Sequence, residues 1–421
     1  MGPKLGIPAG VVDPHGPPSG AGIQIGYSTN VHPGGDLGQV RRSLQRFAVP
    51  IRRRLFGPHP SGLELRLGIG AAQDLLDPGR RSRFRRFLAE GGLEIFSINA
   101  YPLRDFHSPR VKEEAYRPPW TSPQRALWTR RIARILADLL EPGTTGSIST
   151  LGGTYRPWGG GTAVQERIAR GYLEVLELLV DLEESSGRKI VLAVEPEPDT
   201  SFETARDVIS FFQRRLLPAA RVRWGHRWSR RRIEEVLRRH FTVNLDTCHL
   251  SVVFRSPAKE MEELHRAGIG IGKIHVTSAI AMEDPREDPR AWAELRAMDE
   301  ARYMHQARAA DGRGRVVAAW SDLGRLPLDP SELPPSVRAV RTHFHVPVHL
   351  AQWGRLQTTQ EETREAVLLA LRRGLCNQMV IETYTWPVIR RRHAAEARGA
   401  LIDGIEREFR WLLGLLGPLK A

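Results

Sequence analysis

The sequence predicts an α/β protein, and within that class a single (β/α)8 barrel. Short apolar patterns alternate with amphipathic helical patterns along the chain, and most of the apolar patterns have no polar face. Strands that are buried on both faces are typical of parallel sheets, and strand–helix alternation builds βαβ units. Polar residues also collect where the later strands end, as they do at the catalytic face of a barrel. The length of 421 residues fits one barrel with insertions.

Nine short segments, rich in β-branched residues and closed by polar or Gly-rich turns, are the strand candidates. They span residues 23–30, 63–70, 93–101, 147–155, 190–198, 241–250, 272–278, 342–350 and 379–386. Because a barrel of this kind closes with eight strands, one candidate must lie outside it.

Helical spacing of apolar residues predicts six helices between the strands, at 124–140, 163–182, 202–216, 231–239, 359–375 and 390–416. The glycine-rich turns at 68–70 and 151–154 complete neither a dinucleotide-binding nor a Walker A pattern. An open doubly wound sheet is therefore disfavoured relative to the barrel.

The predicted domain organisation is an N-terminal extension at 1–20 followed by one barrel at 21–416. Within the barrel, residues 281–340 form a long insertion between strands seven and eight. This region is rich in Asp, Pro and Gly and has few strand signals, so it is expected to be loop-like rather than an independent domain.

The composition excludes several classes of protein. The net charge of +14 would be typical of nucleic-acid binding, but 56 of the 62 basic residues are arginines scattered along amphipathic stretches. They are expected to lie on solvated helix faces, and a nucleic-acid partner is not expected. No segment reaches the roughly 20 apolar residues of a membrane span. With no secretory signal and only two cysteines, a cytoplasmic protein is expected.

Four later strand candidates each close with an acidic or imidazole side chain. These residues are Glu195, Asp246, His275 and Glu382. The C-terminal ends of barrel strands meet on one face, so the four side chains are expected to converge. Converging carboxylates repel one another unless a divalent cation joins them. The alternatives are a helix N-cap for each acid and a hydrogen-bonded interior histidine for His275. The pattern predicts a divalent metal ion, and the imidazole nitrogen favours Mn or Zn.

These strand ends resemble the xylose-isomerase-like barrel superfamily, which includes sugar epimerases and isomerases and the type IV apurinic endonucleases. In that group a Glu after strand five, an Asp-x-x-His after strand six, a His on strand seven and a Glu on strand eight surround a divalent metal. The resemblance, which covers most of residues 20–416, implies these ligand roles for Glu195, Asp246, His275 and Glu382. It also implies that His249 contacts substrate, as in the epimerases, or binds metal, as in the endonucleases.

Four further segments look like the metabolite traffic protein EboE family, a subgroup of this superfamily. They are GYSTNVHPG at 26–34, NAYP at 99–102, STLGGTY at 149–155 and RTHFHVP at 341–347. The genes of that family lie in a cluster implicated in moving secondary-metabolite precursors across the cell envelope. The resemblance implies a fold and a small-molecule partner, but no defined reaction.

Further histidines are candidates for a second metal ion or for substrate binding. His32, after the first strand, is either on the catalytic face or a loop histidine. His343 and His345 share one face of an extended segment with Arg341, because side chains at i and i+2 point the same way. The endonucleases carry an Asp-x-His that binds a second metal at a comparable place. Alternatively, the three residues hold an anionic substrate group, or they lie on a solvated edge strand. The ends of strands two and three carry no histidine, which disfavours a full trinuclear zinc site.

Three functions follow from these residues. The first is a metal-dependent isomerase or epimerase of a small sugar-like compound or metabolite precursor, with Glu195 and Glu382 as general base and acid and with His249 and Arg341 orienting substrate oxygens. The second is a two-metal phosphodiesterase or apurinic-endonuclease-like hydrolase. The third is a non-catalytic traffic component. Aromatic residues that would suit a ring-bearing ligand, or cover the barrel rim, are Tyr27, Tyr101, Tyr155, Trp158 and Trp386.

Overall fold

The computed structural model describes residues 22–103, 106–389 and 399–417. The strands are β1 (Gln24–Ser28), β2 (Ser61–Arg66), β3 (Leu93–Asn99), β4 (Gly146–Leu151), β5 (Ile190–Glu195), β6 (Phe241–Asp246), β7 (Gly270–Val276), β8 (Ser278–Glu283), β9 (Ala307–Asp311), β10 (Val316–Trp320), β11 (Val337–Val346), β12 (Gln352–Trp353), β13 (Leu356–Thr358) and β14 (Gln378–Ile381).

The α-helices within those ranges are α1 (Leu37–Ser43), α2 (Val49–Phe56), α3 (Ile69–Leu76), α4 (Pro78–Gly91), α5 (Pro123–Leu139), α6 (Thr162–Ser186), α7 (Ala205–Phe211), α8 (Leu217–Trp224), α9 (Arg230–His240), α10 (Thr247–Val252), α11 (Pro257–Arg266), α12 (Pro289–Arg296), α13 (Gln360–Arg373), α14 (Trp386–Ile389) and α15 (Gly399–Leu416). Two of the junctions, α1 to α2 and α7 to α8, are π-helical turns just before Pro50 and Pro218. Proline lacks the N–H that a regular α-helical turn needs, which explains the wider turn at both places.

Eight strands, β1 to β7 and β14, close into a parallel barrel. Every neighbouring pair runs parallel, and the pairing of β1 with β14, Gly26 opposite Val380, completes the ring. The strand residues are almost all buried, because the barrel interior covers one face and the helices cover the other. The predicted single (β/α)8 barrel with an insertion between strands seven and eight is therefore confirmed.

The insertion between β7 and β14 is not loop-like. It contains a six-stranded sheet in the order β10-β9-β11-β8-β13-β12, with antiparallel pairing. The sheet has its own apolar cluster, which includes Trp292, Val340 and Phe344. The expectation of a loop was wrong because β9 and β10 are rich in alanine, a residue of low strand propensity, so their pattern is weak.

Of the nine strand candidates, the one at 342–350 lies outside the barrel, since it belongs to β11 of the inserted sheet. The candidate at 241–250 is too long: β6 ends at Asp246 and α10 follows at once. The helix predicted at 390–416 is described only from Gly399 onward. The predicted extension at 1–20 and the start of that helix lie outside the described residues. Among the helices in the described part of the chain, none has the length and apolar character of a membrane span.

Candidate metal centre

Four adjacent barrel strands bring the predicted ligands together. Glu195 and Asp246 are the last residues of β5 and β6, His275 lies near the end of β7, and Glu382 directly follows β14. One ligand atom from each of the four residues lies within 4.8 Å of the others. All four side chains are buried. The geometry is that of a cation site built from three carboxylates and one imidazole.

The Nδ1 atom of His275 is at the middle of this four-residue group. It lies 3.1 Å from Glu382 Oε2, 3.2 Å from Glu195 Oε1 and 3.6 Å from Asp246 Oδ2. Burial lowers the pKa of His275, but the charges of Glu382 and Glu195 outweigh this and raise it well above its usual range. Burial raises the pKa of Glu195, whereas the pKa of Glu382 is lowered because His275 outweighs its burial. The group therefore requires positive charge at its centre, from a proton or from a cation.

Asp246 uses its two oxygens differently. Oδ1 accepts hydrogen bonds from the His249 backbone N–H at 3.0 Å and from Thr277 Oγ1 at 2.6 Å, so it caps α10. Oδ2 is buried and has no hydrogen-bond partner among the described residues. A buried carboxylate oxygen without a partner is costly, and a divalent cation at this point would satisfy it. The N-cap alternative and the ligand prediction thus apply to different oxygens of the same side chain.

A second group, the three-histidine group, consists of His249, His343 and His345. His343 Nε2 lies 3.0 Å from His249 Nε2 and 3.1 Å from His345 Nε2. Asp246 Oδ2 lies 3.9 Å from His249 Nε2 and 3.8 Å from His345 Nε2, so it stands between the two groups. All three imidazoles are buried, and none points to solvent.

In each of the three histidines, the hydrogen-bond acceptor at Nδ1 determines which ring nitrogen carries hydrogen. His249 Nδ1 lies 3.1 Å from the Pro196 carbonyl, His345 Nδ1 lies 2.7 Å from the Glu382 carbonyl, and His343 Nδ1 lies 2.7 Å from Gln306 Oε1. Each acceptor requires an Nδ1–H, which in a neutral ring leaves a lone pair on Nε2. The lone pairs of three neutral rings face one another here, and His343 Nε2 also lies 3.4 Å from Tyr384 Oη, which can donate a hydrogen bond to it. A cation held by the Nε2 atoms resolves this conflict, and the arrangement matches metal-ligating histidines.

Two predicted site residues lie elsewhere. Arg341 pairs with Glu362 at 2.7 Å, donates to the Ser251 carbonyl at 2.9 Å and stacks over Phe254. The pairing of β11 with β8 shifts register after Thr342, so Arg341 and the two histidines do not share one face. The prediction that Arg341 faces the site was therefore wrong.

His32 also lies outside both groups. Its Nε2 lies 3.0 Å from Tyr27 Oη, and its ring stacks on Phe47 at 4.5 Å. Burial, with a smaller contribution from His107, lowers the pKa of His32 to about 3. It is a packed, neutral interior histidine, and the prediction that placed it in the site was wrong.

Several polar residues of the site, Tyr101 excepted, were not predicted. Asn30 Nδ2 and Asn99 Nδ2 donate to Glu382 Oε1 at 2.7 and 3.1 Å. Tyr101 and Tyr116 donate to the buried carboxylate of Glu197, the latter at 2.9 Å. Glu64 contacts His275 from below. The signal for Glu64 was present, since it lies between leucines in a strand that a barrel would bury on both faces.

A cavity of about 60 Å³ opens on both groups. Its polar lining includes Glu195, Glu197, His343 and Glu382, and its aromatic lining is Tyr101, Phe106, Tyr116, Tyr303 and Tyr384. Of the aromatic residues predicted at the mouth, only Tyr101 is among the lining residues. The size restricts access to a small molecule, and the insertion between β7 and β14 contributes Tyr303, His343 and His345 to its wall.

Comparison with solved structures supports the fold. A xylose isomerase-like TIM barrel protein from Mycobacterium smegmatis, in complex with magnesium, aligns with a TM-score of 0.50 and 14% identity over 95% of this chain and 98% of that one. A zinc-bound IOLI protein aligns at 0.45, with 11% identity over 93% and 98% of the two chains. A xylose isomerase domain protein from Salmonella typhimurium LT2 aligns at 0.42, with 16% identity over 94% and 100%. No protein-family model and no curated protein matches the chain.

The magnesium-bound structure is a xylose isomerase-like TIM barrel protein, so the broader resemblance seen in the sequence is confirmed at the level of fold. At such low identity the likeness extends to the fold alone. The narrower resemblance to the EboE family receives no support from the comparisons.

Proposed function

We propose that the chain is a metal-dependent enzyme that acts on a small molecule at a centre for two divalent ions. The convergence of three Nε2 atoms in the three-histidine group carries this proposal, because the lone pairs of neutral rings repel one another there and a cation would bind them together. The first ion would be held by Glu195, Asp246, His275 and Glu382. The second would be held by the three-histidine group, with Asp246 Oδ2 between the two ions.

The nitrogen-rich donor set favours Zn or Mn over Ca. When bound, such ions would polarise substrate oxygens and lower the pKa of a water molecule. This chemistry favours hydrolysis of a small ester or phosphoester. Glu195 lines the cavity, and its contact with His275 Nδ1 at 3.2 Å is made by Oε1, so Oε2 is the carboxylate oxygen left to accept a proton. A cavity of about 60 Å³ fits a small substrate better than a nucleic-acid strand.

A second candidate is an isomerase or epimerase that uses one ion. Glu195 and Glu382 both line the cavity, and two carboxylates on one cavity are a pair for proton removal and return. However, Glu382 Oε1 already accepts hydrogen bonds from Asn30 and Asn99, while its Oε2 faces His275. A carboxylate with both oxygens occupied is a weak base, so this observation favours the hydrolase.

The number of bound ions tests the proposal. Wild-type protein, purified without chelator and reloaded with Zn²⁺ or Mn²⁺, is expected to hold two ions per chain by elemental analysis. The double variant His343→Ala/His345→Ala is expected to keep one. Arg341→Ala is the matched control, because it changes the same strand outside the centre, and it should keep two. A single ion in the wild type supports the second candidate instead, and no ion contradicts both.

Turnover separates the reaction classes. The loaded protein would be assayed with bis(p-nitrophenyl) phosphate and small esters for hydrolysis, and with small ketoses in D2O for deuterium uptake. Glu195→Gln is expected to slow the true reaction by about 10²- to 10⁴-fold, since it removes the proton acceptor. Metal-dependent ligand binding without either reaction would favour the non-catalytic traffic role that the resemblance to the EboE family implies.

A further inference from the structure

A polar layer fills the barrel interior directly beneath the first metal group. It consists of Glu64 on β2, Ser97 on β3, Ser149 on β4 and Lys273 on β7, and each of these side chains is fully buried. Glu64 and Ser97 are opposite each other in the strand register, whereas Lys273 reaches them across the barrel. Barrel interiors are ordinarily filled by branched apolar residues. This polar layer is an exception that is confined to one level of the barrel interior.

Lys273 holds Glu64 in one position. Its ammonium group forms an ion pair with Glu64 Oε2 and donates to Ser97 Oγ at 2.9 Å and to Ser149 Oγ at 2.8 Å. These contacts use all three ammonium hydrogens. Ser97 Oγ also donates to Glu64 Oε2 at 2.7 Å. The second carboxylate oxygen, Oε1, is left facing His275 Nε2 at 3.1 Å.

Stability alone does not explain the buried ion pair of Lys273 and Glu64. Removing two charges from water costs several kcal/mol each, and well-packed apolar residues often replace a buried pair without loss. Because Glu64 also contacts His275, the ion pair affects the orientation of that imidazole. With hydrogen on Nε2 directed to Glu64, the lone pair of His275 is on Nδ1, the atom that faces the three carboxylates of the first metal group. Asn244 Nδ2 also lies 3.1 Å from this Nδ1.

We infer that Glu64 is a positioning residue that orients His275 and selects Nδ1 as its metal ligand, and that Lys273 holds Glu64 in place. This inference rests on the proposed function, because it requires the first ion. A carboxylate behind a ligating imidazole fixes the ring and raises the basicity of the ligand nitrogen, and loss of such a partner weakens metal binding by about 10- to 100-fold.

Metal affinity measured in the absence of substrate tests the inference. Mn²⁺ would be titrated into chelator-treated wild type and Glu64→Gln, with calorimetry and electron paramagnetic resonance as readouts. Glu64→Gln is expected to bind the ion of the first metal group about 10- to 100-fold less tightly than the wild type does. Ser149→Ala is the control, since Ser149 contacts Lys273 but not His275, and it should keep the wild-type affinity. The absorption bands of the Co²⁺-loaded proteins should shift in Glu64→Gln and not in Ser149→Ala.

Glu64→Gln leaves Lys273 buried without its counter-charge, and this can prevent folding. A second variant therefore tests the inference without the unpaired charge. Glu64→Gln/Lys273→Met removes both charges, and it is expected to fold and to show the same weakened binding. Wild-type affinity in either folded variant overturns the inference but leaves the proposed function standing. Failure of the wild type itself to bind Mn²⁺, Zn²⁺ or Co²⁺ overturns the proposed function.

Discussion

At the scale of single residues, Asp246 combines two roles that the sequence presents as alternatives. Its Oδ1 caps α10 through the His249 backbone, and its Oδ2 faces both candidate ion positions. The cap fixes the carboxylate plane, and the fixed plane aims the second oxygen at the centre. A helix cap at the end of a barrel strand is therefore not evidence against a ligand.

Asp246→Asn separates these two roles. The amide oxygen can still accept from His249 N–H, so α10 keeps its cap, but the charge that the ions need is lost. Metal content is expected to fall at both positions, with affinity at least about 10-fold weaker by the loss of a charged ligand. Elemental analysis and thermal unfolding would be measured together. Asp288→Asn, which changes the N-cap of α12 far from the centre, is the control. Equal metal content in wild type and Asp246→Asn would show that Asp246 is only a cap.

At the scale of elements, β11 joins the inserted sheet to the site. His343 and His345 face the centre, while Phe344 between them lies in the apolar cluster of the insertion and stacks on His305 at 4.5 Å. Packing of Phe344 in that cluster therefore determines how far the imidazoles of His343 and His345 extend into the centre. The insertion thus contributes both a wall of the cavity and two of the histidines of the second group.

Helix α15 is docked by a buried carboxyl group whose charge opposes folding. Glu408 accepts from the Val348 backbone at 3.1 Å, from Trp386 Nε1 at 3.0 Å and from Thr383. Burial raises the pKa of Glu408 to about 7. Because the folded pKa is above the unfolded value, the folded state binds more protons between those two values. The stability from this group is fully present below about pH 4.5 and is lost as the pH rises through about 7.

Glu408→Gln is expected to remove this pH dependence. The unfolding free energy of wild type, relative to the variant, should fall by about 3 kcal/mol from pH 4.5 to pH 8, which corresponds to about 3 °C in Tm. Chemical denaturation at several pH values measures it. Glu406→Gln on the same helix is the control, since Glu406 pairs with Arg410 at the surface. A constant difference between wild type and Glu408→Gln would show that Glu408 stays ionised in the fold.

At the scale of the whole molecule, buried acidic residues are concentrated at the C-terminal ends of the barrel strands. Glu195, Glu197 and Glu382 line one small cavity, Asp246 lies beside them in the first metal group, and all four are buried. Their repulsion destabilises the fold unless positive charge is present. Ions that bind only the folded state should therefore raise the stability of the entire chain.

Metal addition should be visible in the melting temperature. At about 100 times its Kd, a bound ion stabilises the fold by about 2.7 kcal/mol, which for a chain of this length is a rise of about 3 °C. Differential scanning calorimetry of chelator-treated protein with Zn²⁺ or Mn²⁺ measures it. Ca²⁺ is the control ion, because it prefers six to eight oxygen ligands and should shift Tm less. Equal shifts with all three ions, or none, would count against the nitrogen-containing centre.

The sequence by itself determined the barrel and identified the first group of candidate ligands. Both are local patterns: an apolar run predicts a buried strand wherever it occurs, and Glu195, Asp246, His275 and Glu382 each close such a run. Strand ends of a parallel barrel must meet on one face, so convergence follows once the fold is known.

Only the tertiary structure decided the rest. The i, i+2 spacing places Arg341, His343 and His345 on one face, but the register shift in β11 sends Arg341 to Glu362. Glu64 meets Lys273 across the barrel, from strands far apart in the chain. Neither result can be obtained from local spacing, because the direction of a side chain depends on the twist and register of its strand and on which distant element packs against it.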